Sequence, residues 1–406
     1  MAIELSNLTF TEEDDIVPAS GVEQILNTGI ANTLAGGDII TGSATDSGGI
    51  RNFGSINTGD DNDIITGTSM SGSGIENLSN SSIDTGNGND IITAIGNAYI
   101  LYNNGTINTG NGDDSIIAEE NGNLPLYNSS NDGTINTDSG NDSIILNGGL
   151  YNSGMVLLGD GNDSFALTPS KFFPHRALDN YNAIDTGDGN DTITSTGVIY
   201  NEGIINTDNG TDLIISDGGF SNSGVVFLGE GNDSLLCEAN LPNDRLIENF
   251  NVIDTGNGDD YINTYSHLYN EGIINTGNGN DSIYSSFIYN NGGAIITGDG
   301  QDSIYTSDGF ESGSNSSGSV FLGEDGDYLH GFGSGDFYGG NGYDTLNFSQ
   351  ATGTYTVGIW GEGPDKSVIF TKGNQIMITS GFELLINVGE LYSFASLTAG
   401  QIITVG

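Results

Sequence analysis

Aspartate recurs along this chain behind short glycine-rich stretches, at Asp38, Asp63, Asp90, Asp114, Asp142, Asp163, Asp191, Asp212, Asp233, Asp260, Asp281, Asp302, Asp327 and Asp344. The turns that carry them read TGNGND (85–90), LGDGND (158–163), TGDGND (186–191), LGEGND (228–233) and TGNGND (276–281). A rigid glycine turn that presents one carboxylate and several outward carbonyls, repeated about every 4.8 Å, makes a row of hard oxygen ligands. That donor set is calcium chemistry. Magnesium wants near-ideal octahedral geometry and keeps its waters, and transition metals want the His or Cys that these turns lack. A single Gly-Asn-Asp turn could equally be a structural turn whose Asp caps its own backbone. Many copies in register favour the metal, because carboxylates stacked about 5 Å apart repel unless a cation sits between them.

The elements that must hold this row follow from its spacing. Intervals of 21 residues separate Asp142 from Asp163, Asp191 from Asp212, Asp212 from Asp233, Asp260 from Asp281 and Asp281 from Asp302. Two residues after each Asp stands an apolar side chain, as in Ile65, Ile92, Ile116, Ile144, Phe165 and Ile193, and seven before it stands another, as in Ile56, Ile83, Ile107, Ile135, Val156 and Ile184. Five before it is Thr in most coils but Leu158, Leu228 and Leu322 in three, which places that Thr column inside by two-residue alternation. A coil therefore reads as strand, Gly-Asn-Asp turn, strand, and a second turn around Asn-x-Gly, as at 103–105, 152–154, 201–203, 222–224 and 270–272. The expected fold is all-β: a right-handed parallel β-solenoid with a C-terminal antiparallel β cap.

These turns resemble the RTX, or hemolysin-type, calcium-binding repeat, whose nonapeptide is Gly-Gly-x-Gly-x-Asp-x-hydrophobic-x. The best single match is GGNGYDTLN at 339–347, and Asp327, Asp336 and Asp344 follow at intervals of 9 and 8, the tandem spacing of that family. The resemblance implies calcium held by the Asp side chains and by backbone carbonyls of the turns. Carried over position by position, the implied ligands are Asp63, Asp90, Asp114, Asp142, Asp163, Asp191, Asp212, Asp233, Asp260, Asp281, Asp302, Asp327 and Asp344. The chain departs from the pattern where Thr or Leu replaces the first Gly, Asp138 and Asp208 the second, and Asp61 and Asp325 the third. The family stacks nonapeptides with calcium turns on both edges, whereas 63–302 leaves about twelve residues between turns. One calcium edge and a metal-free Asn-x-Gly edge are expected there, with a two-edged short roll only near 324–347.

Composition narrows the partners. With 54 Asp+Glu against 6 Lys+Arg, a formal charge of −48 and no basic cluster, nucleic acid is excluded and an anionic membrane disfavoured. No stretch of about 18 apolar residues could span a bilayer, and the N-terminus has neither the basic start nor the apolar run of a cleavable secretory signal. One cysteine, Cys237, rules out a disulfide framework. The 65 glycines come with only 6 prolines and no strict three-residue period, so collagen is excluded.

The expected organisation is an N-terminal cap (1–34), a solenoid of about 21-residue coils with insertions (35–323), tandem nonapeptides (324–347) and a C-terminal cap (348–406). The last segment is similar to the end of RTX proteins, which implies an uncleaved type I secretion signal and an extracellular bacterial location. The insertions at 167–182 and 236–251 are expected to fold back over the outward apolar positions Leu157 and Phe227. A polysaccharide lyase or epimerase needs Lys, Arg or His gathered on one face, and His175, His267 and His330 lie far apart in sequence, so no enzyme is expected. The reading that remains is a secreted, calcium-loaded scaffold contacting cell-surface or matrix components or itself. An ice-binding or ligand-binding adhesin solenoid is the alternative.

Overall fold

Period-two alternation of apolar and polar residues becomes short strands, and the apolar columns become the core. The computed structural model describes residues 2–18, 23–122, 128–171, 173–238, 245–313, 317–362, 366–388 and 390–405. Two compact units divide the chain at Gly218 and Gly219. Each contains a parallel β-solenoid, and the second also carries the C-terminal antiparallel strands.

In the first unit a representative coil runs from Asp63 through the strands Ile64–Ser69, Ile75–Asn77 and Ser82–Asp84 to the turn before Asp90. Each strand pairs in parallel with its equivalent in the next coil, so Ile65 faces Ile92 and Ile56 faces Ile83. Both expected ladders are buried: Ile65, Ile92, Ile116, Ile144, Phe165 and Ile193 on one side, Ile56, Ile83, Ile107, Ile135, Val156 and Ile184 on the other. A third inward column, which the spacing count missed, stands on the middle strand, where Ile50 faces Ile75 and Ile75 faces Leu101. The Thr column is inside as expected, with Thr58, Thr85, Thr109 and Thr137 buried beside Leu158.

A coil thus has three strands, not two. The first two continue one face and are broken at one corner; coil length varies mostly there, at 70–74, 97–100 and 170–175, and also before the third strand, at 78–81. The first insertion is consequently shorter than expected. Residues 176–180 are the coil's own middle strand, paired with Leu150–Asn152 and Val198–Asn201. Only 170–175 is extra, and its Lys171 reaches Gly122 O (3.1 Å) and Glu120 instead of Leu157.

The N-terminal segment also departs from expectation, because part of it is already solenoid. Ala2–Glu4 pairs with Gln24–Asn27, Ile25 faces Ile50, and Ala31 faces Ile56. Sequence spacing could not reveal this, since the turn there is Glu13-Asp14-Asp15 without glycine.

In the second unit the 21-residue coils lose the corner break, giving the continuous strands Tyr261–Asn270 and Ser282–Asn290. Leu235, Ile262, Ile283, Ile304, Leu329 and Leu346 form one buried ladder. Part of the second insertion, 239–244, lies outside the described residues; Phe227 keeps 43% of its surface exposed, so it is at most partly covered.

The tandem nonapeptides make one short coil. Asp336 sits on a strand facing Ser319 and accepts a hydrogen bond from Ser317 Oγ (2.6 Å), so it stays out of the buried aspartate row. The other edge is closed by rings, Phe332 meeting Phe348 and Tyr355. A two-edged roll is not what these residues build. The cap then stacks Leu384–Asn387 in parallel on Thr345–Asn347 and Gln375–Ser380 on Gly335–Asn341. It finishes with antiparallel strands Gly353–Trp360, Ser367–Lys372 and Ile402–Val405, as the sequence suggested.

Candidate metal centre

The turn aspartates point inward. Each is buried, at 0 to 2% exposed, and within each unit the Oδ1 of one accepts the backbone N–H of the aspartate one coil earlier. In the first unit Asp38 N–H donates to Asp63, Asp63 to Asp90, Asp90 to Asp114, Asp114 to Asp142, Asp142 to Asp163, Asp163 to Asp191 and Asp191 to Asp212, all at 2.7–2.8 Å. In the second unit Asp233 donates to Asp260, and the row continues through Asp281, Asp302, Asp327 and Asp344. All thirteen expected ligands therefore occupy one repeated position.

The row also contains residues outside that set. Asp38 belongs to it, with Asp15 N–H donating to its Oδ1 (2.7 Å). At the other end Asp344 N–H donates to Glu383 Oε2 (2.8 Å). Glu383 lies 39 residues further on, outside any repeat, so no spacing could have pointed to it.

The second carboxylate oxygen is the informative one. Oδ2 of Asp38, Asp63, Asp90, Asp114, Asp142, Asp163 and Asp191 is buried without a hydrogen-bond partner, and so is that of Asp281, Asp302, Asp327 and Asp344. The Thr five residues earlier stands beside the carboxyl but turns its proton mainly to the next coil's carbonyl, as Thr85 does to Thr109 O (3.2 Å) and Thr137 to Leu158 O (2.8 Å). Thr255 differs, donating to Asp260 Oδ2 at 2.5 Å. A buried polar atom left unpaired is costly, and a row of them calls for a ligand.

Backbone carbonyls flank the row, aligned along the stack instead of outward. A Cβ on Gly112 would stand 1.7 Å from Gly88 O, one on Gly189 1.4 Å from Gly161 O, and one on Gly277 1.7 Å from Gly256 O. Among the described residues no backbone N–H donates to the carbonyls of Gly88, Gly112, Gly140, Gly161 or Gly189. The substitutions within the motif keep this geometry, since Asp61, Asp138, Asp208 and Asp325 all adopt the positive φ of the glycines they replace, as Asp can. No three His, Cys, Asp or Glu side chains converge among the described residues, so carbonyls would have to complete any coordination shell. Carboxylate oxygens plus carbonyls form a donor set that fits calcium.

Burial without a cation pushes these carboxyls up: Asp63, Asp114, Asp163, Asp260 and Asp327 to about 7, and Asp142, Asp191, Asp212, Asp281 and Asp344 to about 6. Asp38, Asp90 and Asp302 are raised for the same reason.

The opposite turn needs nothing. Asn27, Asn52, Asn77, Asn103, Asn131, Asn152 and Asn180 each donate Nδ2–H to the next coil's Asn Oδ1 at 2.8–2.9 Å. The other amide proton goes to a strand carbonyl one coil on, as from Asn77 to Thr106 O (2.9 Å) and Asn103 to Thr134 O (2.9 Å). That edge is neutral, and beyond Asn27, whose Oδ1 begins the row without a partner, its amides satisfy one another.

No family model and no curated protein matches the chain. Among solved structures, the X-ray crystal structure of a hyperactive, Ca2+-dependent, beta-helical antifreeze protein from an Antarctic bacterium is similar, with 21% identity over 74% of this chain and 85% of that chain and a TM-score of 0.36, a likeness too distant to carry an inference about this chain.

Proposed function

We propose that this chain is a secreted structural protein of the RTX type whose solenoids take up several calcium ions along the aspartate rows and fold as they do so. The observation that carries this reading is the contrast between the two turns of each coil. The asparagine row pairs both amide protons, while the aspartate row leaves a buried oxygen unpartnered in coil after coil. Calcium bridging Oδ2 and the carbonyls of adjacent turns supplies the missing partner and cancels the repulsion between carboxylates. Asp38 and Glu383 join the thirteen expected residues as terminal positions of the rows. Low calcium inside a cell then leaves the chain largely unfolded and fit for export, and millimolar calcium outside drives folding.

A non-enzymatic role is part of this reading. His330 is buried, its Nδ1 3.0 Å from Thr306 O, and His267 packs against Phe287 and Tyr289. Calcium titration followed by far-UV circular dichroism, with magnesium as control, tests the proposal. A β spectrum that appears with calcium and not with magnesium supports it, and a calcium-indifferent β spectrum defeats it.

Ice binding through the Thr column does not fit, since that column is buried. A second reading moves water ordering to the exposed amides beside the turn, where Asn87 bonds Asp60 (2.6 Å) and Asn111 bonds Asn87 (2.7 Å) along a column. Thermal hysteresis of the calcium-loaded protein would support that reading, and its absence would remove it.

A further inference from the structure

One outward column of the first unit alternates large and small side chains. Its register runs Tyr102, Ser130, Tyr151, Asp179, Tyr200, one residue per coil. Rungs about 4.8 Å apart place the Cα atoms of Tyr102 and Tyr151 about 10 Å from one another, and the same holds for Tyr151 and Tyr200. Each pair is separated by a rung without a ring.

The chain itself fills the second gap. Arg176 places its guanidinium carbon 4.2 Å from the centre of the Tyr200 ring and Nη2 3.2 Å from Asp179 Oδ1, so a flat cation lies where a ring is missing, with a carboxylate as counter-charge. At the first gap the rung is Ser130, and a cleft of about 400 Å³ opens there. Tyr99 and Tyr102 (5.3 Å between centroids) wall one side, and Tyr151, itself paired with Tyr181 (5.0 Å), walls the other. Asn128, Phe173 and Asp179 also line the cleft, and Asp132 stands at the rim.

We infer that this cleft binds one neutral pyranose ring of a saccharide, inserted between Tyr102 and Tyr151. Half of a 10 Å gap leaves about 5 Å on either side, which is ordinary ring-to-ring contact. The occupant needs two apolar faces for the tyrosines and hydroxyl donors around its edge for Ser130, Asp132 and Asp179. A pyranose has both, whereas a simple aromatic ring lacks the edge donors. A cation is already supplied by the chain in the neighbouring gap, where Arg176 meets the charge of Asp179, so the rung facing this cleft is the neutral hydroxyl of Ser130 beside a carboxylate that is already paired. The carboxylates at the cleft and the charge of −48 exclude uronic acids and sulfated sugars. The site is independent of the calcium reading, since it depends only on the strand register.

The test is saturation-transfer NMR and calorimetric titration of the full chain, folded as judged by circular dichroism, with the methyl pyranosides of glucose, galactose and mannose. Tetramethylammonium, arginine amide and glucuronate serve as competitors. At least one pyranoside is expected to bind with Kd on the order of 1 mM. Tyr151→Ala, which removes a wall, and Ser130→Tyr, which supplies the missing ring, are each expected to weaken it at least tenfold with the far-UV spectrum unchanged. Ser130→Tyr keeps the test decisive should Tyr151→Ala fail to fold. Binding of none of the pyranosides, equal binding by Ser130→Tyr, or preference for a cation would overturn the inference.

Discussion

Asp and Asn differ by one atom, and the two turns of each coil use that difference. An Asn row can pass protons from amide to amide, so every member after the first is satisfied by its neighbours. An Asp row accepts at Oδ1 and leaves Oδ2 for something the chain does not supply. Asp114→Asn tests this at one site. The new amide can donate toward the Thr109 hydroxyl, so in EDTA the variant should hold more β structure by circular dichroism than the parent chain, its folding equilibrium shifted by about 1 kcal/mol. It should at the same time lose bound calcium in calorimetry, and retained stoichiometry would show that Asp114 is not a ligand. The pH dependence has a definite sign. Carboxyls raised to about 6 or 7 in the folded chain, against about 3.9 unfolded, keep their protons longer when folded. Their contribution is fully present below pH 4 and is lost as pH rises through about 7. In EDTA the β content read by circular dichroism should therefore fall between pH 5 and pH 8, as the calcium-free chain loses what fold protonation of the row allows. With calcium the trend should reverse, because the metal needs the ionised form.

At the scale of the coil, what could vary and what could not was partly legible. The period-two columns and the turn motif revealed the two Ile ladders and the aspartate positions, since both are local patterns. The hydrogen-bonded aspartates lie 17 to 28 residues apart, so spacing located each Asp without showing that it faces inward, or that Glu383 ends the row. The corner between the first two strands of a coil accepts extra residues, because no axial column passes through it. The glycine turn accepts none, because each carbonyl there points at the Cα of the next coil. Gly189→Ala would set a Cβ 1.4 Å from Gly161 O at a φ of +152°, so the stack must part at that point. A loss of at least about 3 kcal/mol is expected, whereas Gly122→Ala, at a φ of +100° but with nothing within 4 Å of the added methyl, should cost only the backbone strain of about 1–2 kcal/mol. Urea unfolding of both variants in calcium distinguishes a steric axial column from a merely flexible turn, since equal losses would mean that only backbone freedom matters.

For the whole chain, the question is whether calcium acts as general counter-charge or as a specific ligand. Three ion pairs are formed among the described residues, Arg51 with Glu76, Lys171 with Glu120 and Arg176 with Asp179, so almost none of the excess of 48 negative charges is cancelled from within. Most of that charge is on the surface, where salt screens it, with a Debye length near 3 Å at 1 M. The buried rows are different, because a screening ion in solvent cannot become the partner of an Oδ2 sealed inside the turn. Sodium chloride at 1 M should consequently compact the chain and raise its β content only in part. Calcium at about 1 mM should complete the transition at low ionic strength, and steeply, because each ion bridges two coils and so favours binding in the next. Circular dichroism along both titrations reads the difference. Equal folding by the two salts would mean that the aspartate rows tolerate their unpaired oxygens and that charge alone was the obstacle. A steep calcium transition that 1 M sodium cannot reproduce would place the obstacle inside the turns, at the oxygens themselves.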